Sequence, residues 1–114
     1  MVSLATAKAM ALAFPEAEEK SHFEKQDFRV KKRIFAVLHI DKNAMVVKLS
    51  AIDQSVFCAL DTTIIHPIPG GWGRQGWTMI HLKKVKKSIL QDALFTAWKT
   101  VAGTSLYRKY FPNS

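Results

Sequence analysis

The chain has 114 residues, 48% of them hydrophobic and 23% charged, with 17 Lys and Arg against 9 Asp and Glu for a formal charge of +8. That is the size and composition of one packed domain, residues 1–114, and it excludes a disordered or fibrous chain. The cationic excess points to an anionic partner, most simply nucleic acid, and says nothing of an activity.

The apolar N-terminus holds Lys8 in the middle of its run rather than ahead of it, which fits a helix better than a secretory leader. Ser3 is placed to cap that helix, Leu4, Ala7, Ala11 and Phe14 recur at three- and four-residue spacing, and Pro15 closes it. Residues 16–27 are polar, carrying Glu16, Glu18, Glu19, Glu24 and Asp27, and lead into a first strand near His22 and Phe23. From Asp27 the period shortens to two. Phe28 and Val30 alternate with Arg29 and Lys31, Lys32-Arg33 reads as a turn, Ile34 to Ile40 as a strand, and Asp41-Lys42-Asn43 as a second turn. Met45, Val47 and Leu49 alternate with Val46, Lys48 and Ser50, so the region reads as an antiparallel meander with one buried face. Phe28, Val30, Met45, Val47 and Leu49 are expected toward the helices. Arg29, Lys31, Val46, Lys48, Phe35 and His39 are expected on the other face, where Phe35, Val37 and Val46 would need a cover such as a second copy.

Ser50 offers a cap to a helix from Ala51 to about Leu60, with Asp53 at its positive end. Ile64 and Ile65 then lead through Pro67 and Pro69 into Gly70-Gly71-Trp72-Gly73-Arg74-Gln75-Gly76, a built loop before a strand from Trp77 to Leu82. Val85 to Ala102 is the clearest amphipathic helix, with Val85, Ile89, Ala93, Leu94, Ala97, Trp98 and Val101 on one stripe. Gly103 stops it, and a final helical turn runs from Ser105 to Tyr110.

One cysteine, Cys58, cannot staple the fold, so a reducing, cytoplasmic setting is expected; no apolar run reaches the ~18 residues of a membrane span. His22, His39, His66 and His81 fall in separate elements without local metal-ligand spacing, and Cys58 reads as a small hydrophobe. The glycine loop lacks the Gly-Lys-Ser/Thr ending of a phosphate-binding P-loop and precedes a strand rather than a helix. The expectation is a protein that is not an enzyme and takes no metal or cofactor.

The loop remains the most specific feature. Trp72 and Trp77 either anchor it to the core or offer flat faces for stacking, and Arg74 either caps carbonyls or forks onto a phosphate or a guanine edge. Arg29, Lys31, Lys32 and Arg33 form one basic cluster and Lys83, Lys84, Lys86 and Lys87 another. Residues 1–28 carry three cations and five anions, or −2, and residues 29–114 fourteen and four, or +10. Lys86 and Lys87 stand at a helix start, where the dipole is positive, so something other than stability is expected to place them there.

The stretches Asp27-Phe28-Arg29-Val30, Ile34-Phe35-Ala36, Lys48-Leu49-Ser50 and Pro67-Ile68-Pro69-Gly70-Gly71-Trp72-Gly73-Arg74-Gln75-Gly76-Trp77-Thr78 resemble the MmcQ/YjbR family of small bacterial proteins over nearly the whole chain. The resemblance implies an α+β fold of two layers, α-β(3)-α-β(2)-α, with an antiparallel sheet like that of the secretion-chaperone folds. It marks Pro67, Pro69, Gly70, Trp72, Gly73, Gly76 and Trp77 as family signature. The family is commonly described as DNA-binding by analogy of fold, and it supplies no catalytic residues. The expected function is therefore DNA binding through Arg29, Lys31, Lys32, Arg33, Arg74, Lys83, Lys84, Lys86 and Lys87. The alternative is a small protein-interaction or chaperone-like module, homodimeric, with no nucleic-acid role.

Overall fold

The structure, a computed structural model, describes residues 1–22 and 24–113. Helix α1 (Leu4–Leu12) begins at Ser3, whose Oγ accepts from the Thr6 N–H at 3.1 Å. Four strands follow, β1 (Glu18–His22), β2 (Lys25–Val30), β3 (Arg33–His39) and β4 (Ala44–Lys48). Helix α2 (Ala51–Cys58) starts at Ser50, whose Oγ accepts from Asp53 N–H at 3.1 Å. Then come β5 (Ile65–Pro67), the one-turn α3 (Gly71–Arg74), β6 (Trp77–His81) and α4 (Lys87–Tyr110).

The six strands form one sheet in the order β1-β2-β3-β4-β6-β5, every neighbouring pair antiparallel. Helices α1 and α4 pack against one face of it around Trp98, Phe28, Phe35, Leu38, Met45 and Ile80, all buried. The Trp98 Nε1–H also donates to the Pro15 carbonyl at 2.9 Å, tying α4 to the end of α1. Gly103, at φ 85°, breaks the helical path of α4 between the amphipathic segment and the last turns, as its position in the sequence suggests. Among the described residues, no helix is long and apolar enough to cross a membrane.

The two-layer α+β architecture with an antiparallel sheet is as expected; four local features differ. The expected first strand near His22 is a separate edge strand, β1, whose Glu-Glu-Lys-Ser-His sequence carries no apolar alternation; Phe23 lies outside the described residues. Backbone pairing to β2 builds β1, with Glu18 opposite Arg29 and Lys20 opposite Asp27, and a charged edge resists further pairing. The turn expected at Lys32-Arg33 sits one residue earlier, because Val30 pairs with Arg33 across Lys31 and Lys32. Phe35 is not on the open face. The register between β2 and β3 slips by one residue at Phe28/Arg29, so Phe35 opposes no partner, turns into the core and is fully buried. Helix α4 begins two residues later than Val85, because Val85 is itself buried in the turn that follows β6, its N–H bonded to the His81 carbonyl.

Candidate nucleic-acid interface

The glycine loop is locked from below. A Cβ on Gly73 would lie 1.9 Å from the Ile68 carbonyl oxygen, and one on Gly76 1.9 Å from that of Leu49, so both positions admit only glycine. Gly76 also holds φ at +105°. The Leu49 N–H donates to the Gly76 carbonyl at 3.0 Å, and Gln54 of α2 donates through Nε2 to the Gly73 carbonyl at 2.9 Å and to Thr78 Oγ1 at 3.0 Å. Gln54 carries no motif and was invisible in the sequence; its role needs α2 and the loop side by side.

This lock separates the two tryptophans. Trp77 lies half-buried on the open face, its ring 5.6 Å beneath Lys48 Nζ, which also donates to the Gln75 carbonyl. Trp72 is 64% exposed, the opposite of an anchor. Arg74 is exposed as well, and among the described residues its guanidinium has no hydrogen-bond or ion-pair partner. Pro67, Pro69 and Gly70 shape the approach, with Gly70 at φ +84°. The signature glycines therefore build the loop, and Trp72 with Arg74 is what the loop displays.

Strand register places the basic residues. Ala36 pairs with Val47 and Lys48 with Trp77, so the β2–β3 hairpin tip, Lys48 and the glycine loop share one end of the sheet. At the tip, Lys31 and Lys32 both occupy the left-handed region, at φ 52° and 66°, where a two-residue turn normally uses Asn and Gly. They and Arg33 are exposed. Arg29 is different: it is half-buried and donates to Asp27 Oδ2 at 3.3 Å, with Glu18 opposite it on β1, so its charge is answered within the sheet.

Lys83, Lys84, Lys86 and Lys87 follow β6, at the opposite end, where Ala44 pairs with both His39 and His81. Strands of five residues put about 15 Å between the two ends. All four lysines are exposed, and Lys83 and Lys84 border a hollow of about 400 Å³ with Lys42, Asn43, Thr63 and His81. Here the fold also joins two histidines that the sequence kept 15 residues apart, His66 Nε2 standing 2.8 Å from His81 Nε2. Burial pushes the His81 pKa down, and His66 and Lys84 push it further the same way; burial and then Lys25 and Lys42 lower that of His39. Among the described residues, no three His, Cys, Asp or Glu side chains gather as a metal site.

The open sheet face between the ends is largely closed by its own side chains. Val46 and Met79 are buried and Val37 half-buried, packed with Ala44, Ile68 and Trp77. With Phe35 turned inward, Val46 buried and Val37 half-buried, the apolar positions that were expected to need a second copy as cover are covered within the chain.

A family model, YjbR, matches residues 12–100. Among solved structures, the chain is similar to the crystal structure of Deinococcus radiodurans protein DR2400, which carries the family-model domain DUF419. The TM-score is 0.78 at 19% sequence identity, covering 96% of this chain and 88% of that one. At that identity the likeness concerns the fold. No curated protein matches the chain in sequence.

Proposed function

The chain belongs to the YjbR family, and from that premise we propose that it is a non-enzymatic DNA-binding protein that grips the phosphate backbone with the hairpin and loop end of its sheet. The supporting observation is the display of an exposed Trp72 and an unpartnered Arg74 on a loop that Gly73 and Gly76 hold against two backbone carbonyls. A guanidinium kept free of carboxylates, on the same helical turn as an exposed indole, suits a phosphate and leaves the indole free for a base or sugar face. Lys31, Lys32 and Arg33 stand at the same end and extend the cationic strip. Lys83, Lys84, Lys86 and Lys87 form a second contact, about one strand length away. A cytoplasmic setting accords with the single free, half-buried Cys58.

The test is a salt titration of binding to a short duplex and to a single strand of the same sequence. About six phosphate contacts give a slope of log K against log salt near −5 on duplex DNA. Lys31→Glu with Lys32→Glu should weaken binding at least about tenfold and flatten the slope by about 2, one contact being lost per cation. Lys86→Glu with Lys87→Glu reports the far end separately: an unchanged slope confines the grip to the hairpin and loop. A slope near zero for the wild type, or no binding to either DNA at about 50 mM salt, would sink the proposal.

A further inference from the structure

The fold builds one cluster of chemistry-bearing side chains that DNA binding does not use, His66 with His81. His66 of β5 pairs with Met79 of β6, so His81 lies two residues along the neighbouring strand and on the same face of the sheet. The two Nε2 atoms stand 2.8 Å apart, with ring centroids 4.9 Å apart and planes tilted by 37°. Strand pairing sets this separation before any ligand arrives. Both side chains are half-buried, and β5 is an edge strand, so an ion reaches them from solvent.

The tautomers follow from the partners. His66 Nδ1 stands 3.1 Å from the Pro67 carbonyl, which can only accept, so Nδ1 carries the hydrogen and the Nε2 of a neutral His66 is a bare lone pair. His81 Nε2 then donates to it. A metal-ligating histidine is held in the same way: one ring nitrogen donates to a backbone carbonyl and fixes the ring, while the other takes the ion. Two imidazole nitrogens with metal bonds of about 2.0–2.1 Å lie about 2.9 Å apart when the bonds meet at a right angle, and about 3.3 Å apart at a tetrahedral angle. The separation between His66 and His81 suits the right angle, which belongs to tetragonal Cu²⁺ or Ni²⁺.

We infer that His66 and His81 form a binding site for a nitrogen-seeking divalent transition ion, Cu²⁺ or Ni²⁺, with water filling the remaining positions. On binding, the His81 hydrogen passes through solvent from Nε2 to Nδ1. Each ring turns about its broad χ2 torsion, and both Nε2 lone pairs meet on the ion in place of two of its waters. No electron is transferred and no net proton is released. The surroundings select against other cations. Lys83 and Lys84 line the hollow beside His81, so an ion held by charge alone is repelled. Mg²⁺ and Ca²⁺ need more oxygen ligands than Asp41 and Thr63, on the same hollow, supply. For Cu²⁺ and Ni²⁺ the bonds to imidazole offset the repulsion. The site uses neither the hairpin tip nor the glycine loop, so it stands whether or not DNA is the ligand.

Calorimetric titration of the chain with Cu²⁺, Ni²⁺ and Zn²⁺ at about pH 7.5, where imidazole is neutral, tests this, with electron paramagnetic resonance on the Cu²⁺ complex. The expected result is one ion per chain, a spectrum showing two imidazole nitrogens, and Ni²⁺ held more tightly than Zn²⁺. His66→Gln and His81→Gln should each weaken binding at least about tenfold, with circular dichroism showing that the variants fold. A chain carrying His22→Gln and His39→Gln should bind like the wild type. Binding that does not saturate below about 1 mM ion would overturn the inference. So would a complex that survives His66→Gln or His81→Gln undiminished, a spectrum without two imidazole nitrogens, or Zn²⁺ held more tightly than Ni²⁺.

Discussion

The two basic ends of the sheet hold similar numbers of cations on very different backbones. At the Lys83–Lys87 end the lysines sit in an ordinary turn and at a helix start, exposed, with conformations any residue adopts. At the hairpin and loop end, Lys31 and Lys32 take left-handed conformations that cost an L-residue of order 1 kcal/mol each, and Arg74 rides on a loop that tolerates no Cβ at Gly73 or Gly76. Strain of this kind persists only where surrounding structure enforces it. The contrast teaches that charge counts do not rank binding surfaces: the end held in an unfavourable backbone is the one where a more stable alternative, Asn-Gly at the turn, was not used.

Gly76→Ala is the harshest way to break that contrast. It drives a Cβ into the Leu49 carbonyl and demands a positive φ, so a loss of roughly 3–5 kcal/mol is expected in urea unfolding, against less than about 0.5 kcal/mol for Lys83→Ala at the other end. Equal losses would mean that the loop relaxes and is not locked. A gentler change sharpens the comparison. Lys31→Asn with Lys32→Gly supplies the residues this turn prefers and should raise stability by about 1 kcal/mol while weakening DNA binding about tenfold. A variant both more stable and equally tight would remove function as the reason for the two lysines.

The smallest effect belongs to the far end and to pH. Because burial, His66 and Lys84 hold the folded His81 pKa below 6.5, the unfolded chain binds more protons in the window beneath 6.5. Stability is complete above that window and falls on acidification through it. Thermal melts at about pH 7.5 and pH 5.5 should show this fall, reduced by His81→Gln and unchanged by Lys31→Asn with Lys32→Gly, since the hairpin tip has no histidine. A pH dependence that survives His81→Gln undiminished would place the titration at another group, with His39 next in line.

Where local patterns are strong, the fold was legible. The caps at Ser3 and Ser50, the stripe of α4 ending at Gly103, and the alternation of Met45, Val47 and Leu49 all depend on neighbours within a few residues. Edge strand β1 was not legible, because Glu18 to His22 has no apolar rhythm and owes its conformation to β2. Nor was the inward turn of Phe35, since a one-residue bulge reverses facing without any mark in its own sequence. At the candidate site, Arg74 and the glycines stood out from their residue types; Gln54, Lys48 and the His66–His81 pair did not, because each acts on residues 15 or more positions away.

The sequence by itself determined the charge, its division into a −2 start and a +10 remainder, the two basic clusters, the helices and the presence of a glycine-rich loop. Those follow from composition and from short-range periodicity, which a linear chain displays openly. Only the tertiary structure decided that the basic clusters stand at opposite ends of one sheet, that Arg29 is answered by Asp27 while Arg74 is free, and that Gly73 and Gly76 lie against the Ile68 and Leu49 carbonyls. Each of these depends on strand order and register, which set distances between residues remote in sequence, and no local pattern carries that information.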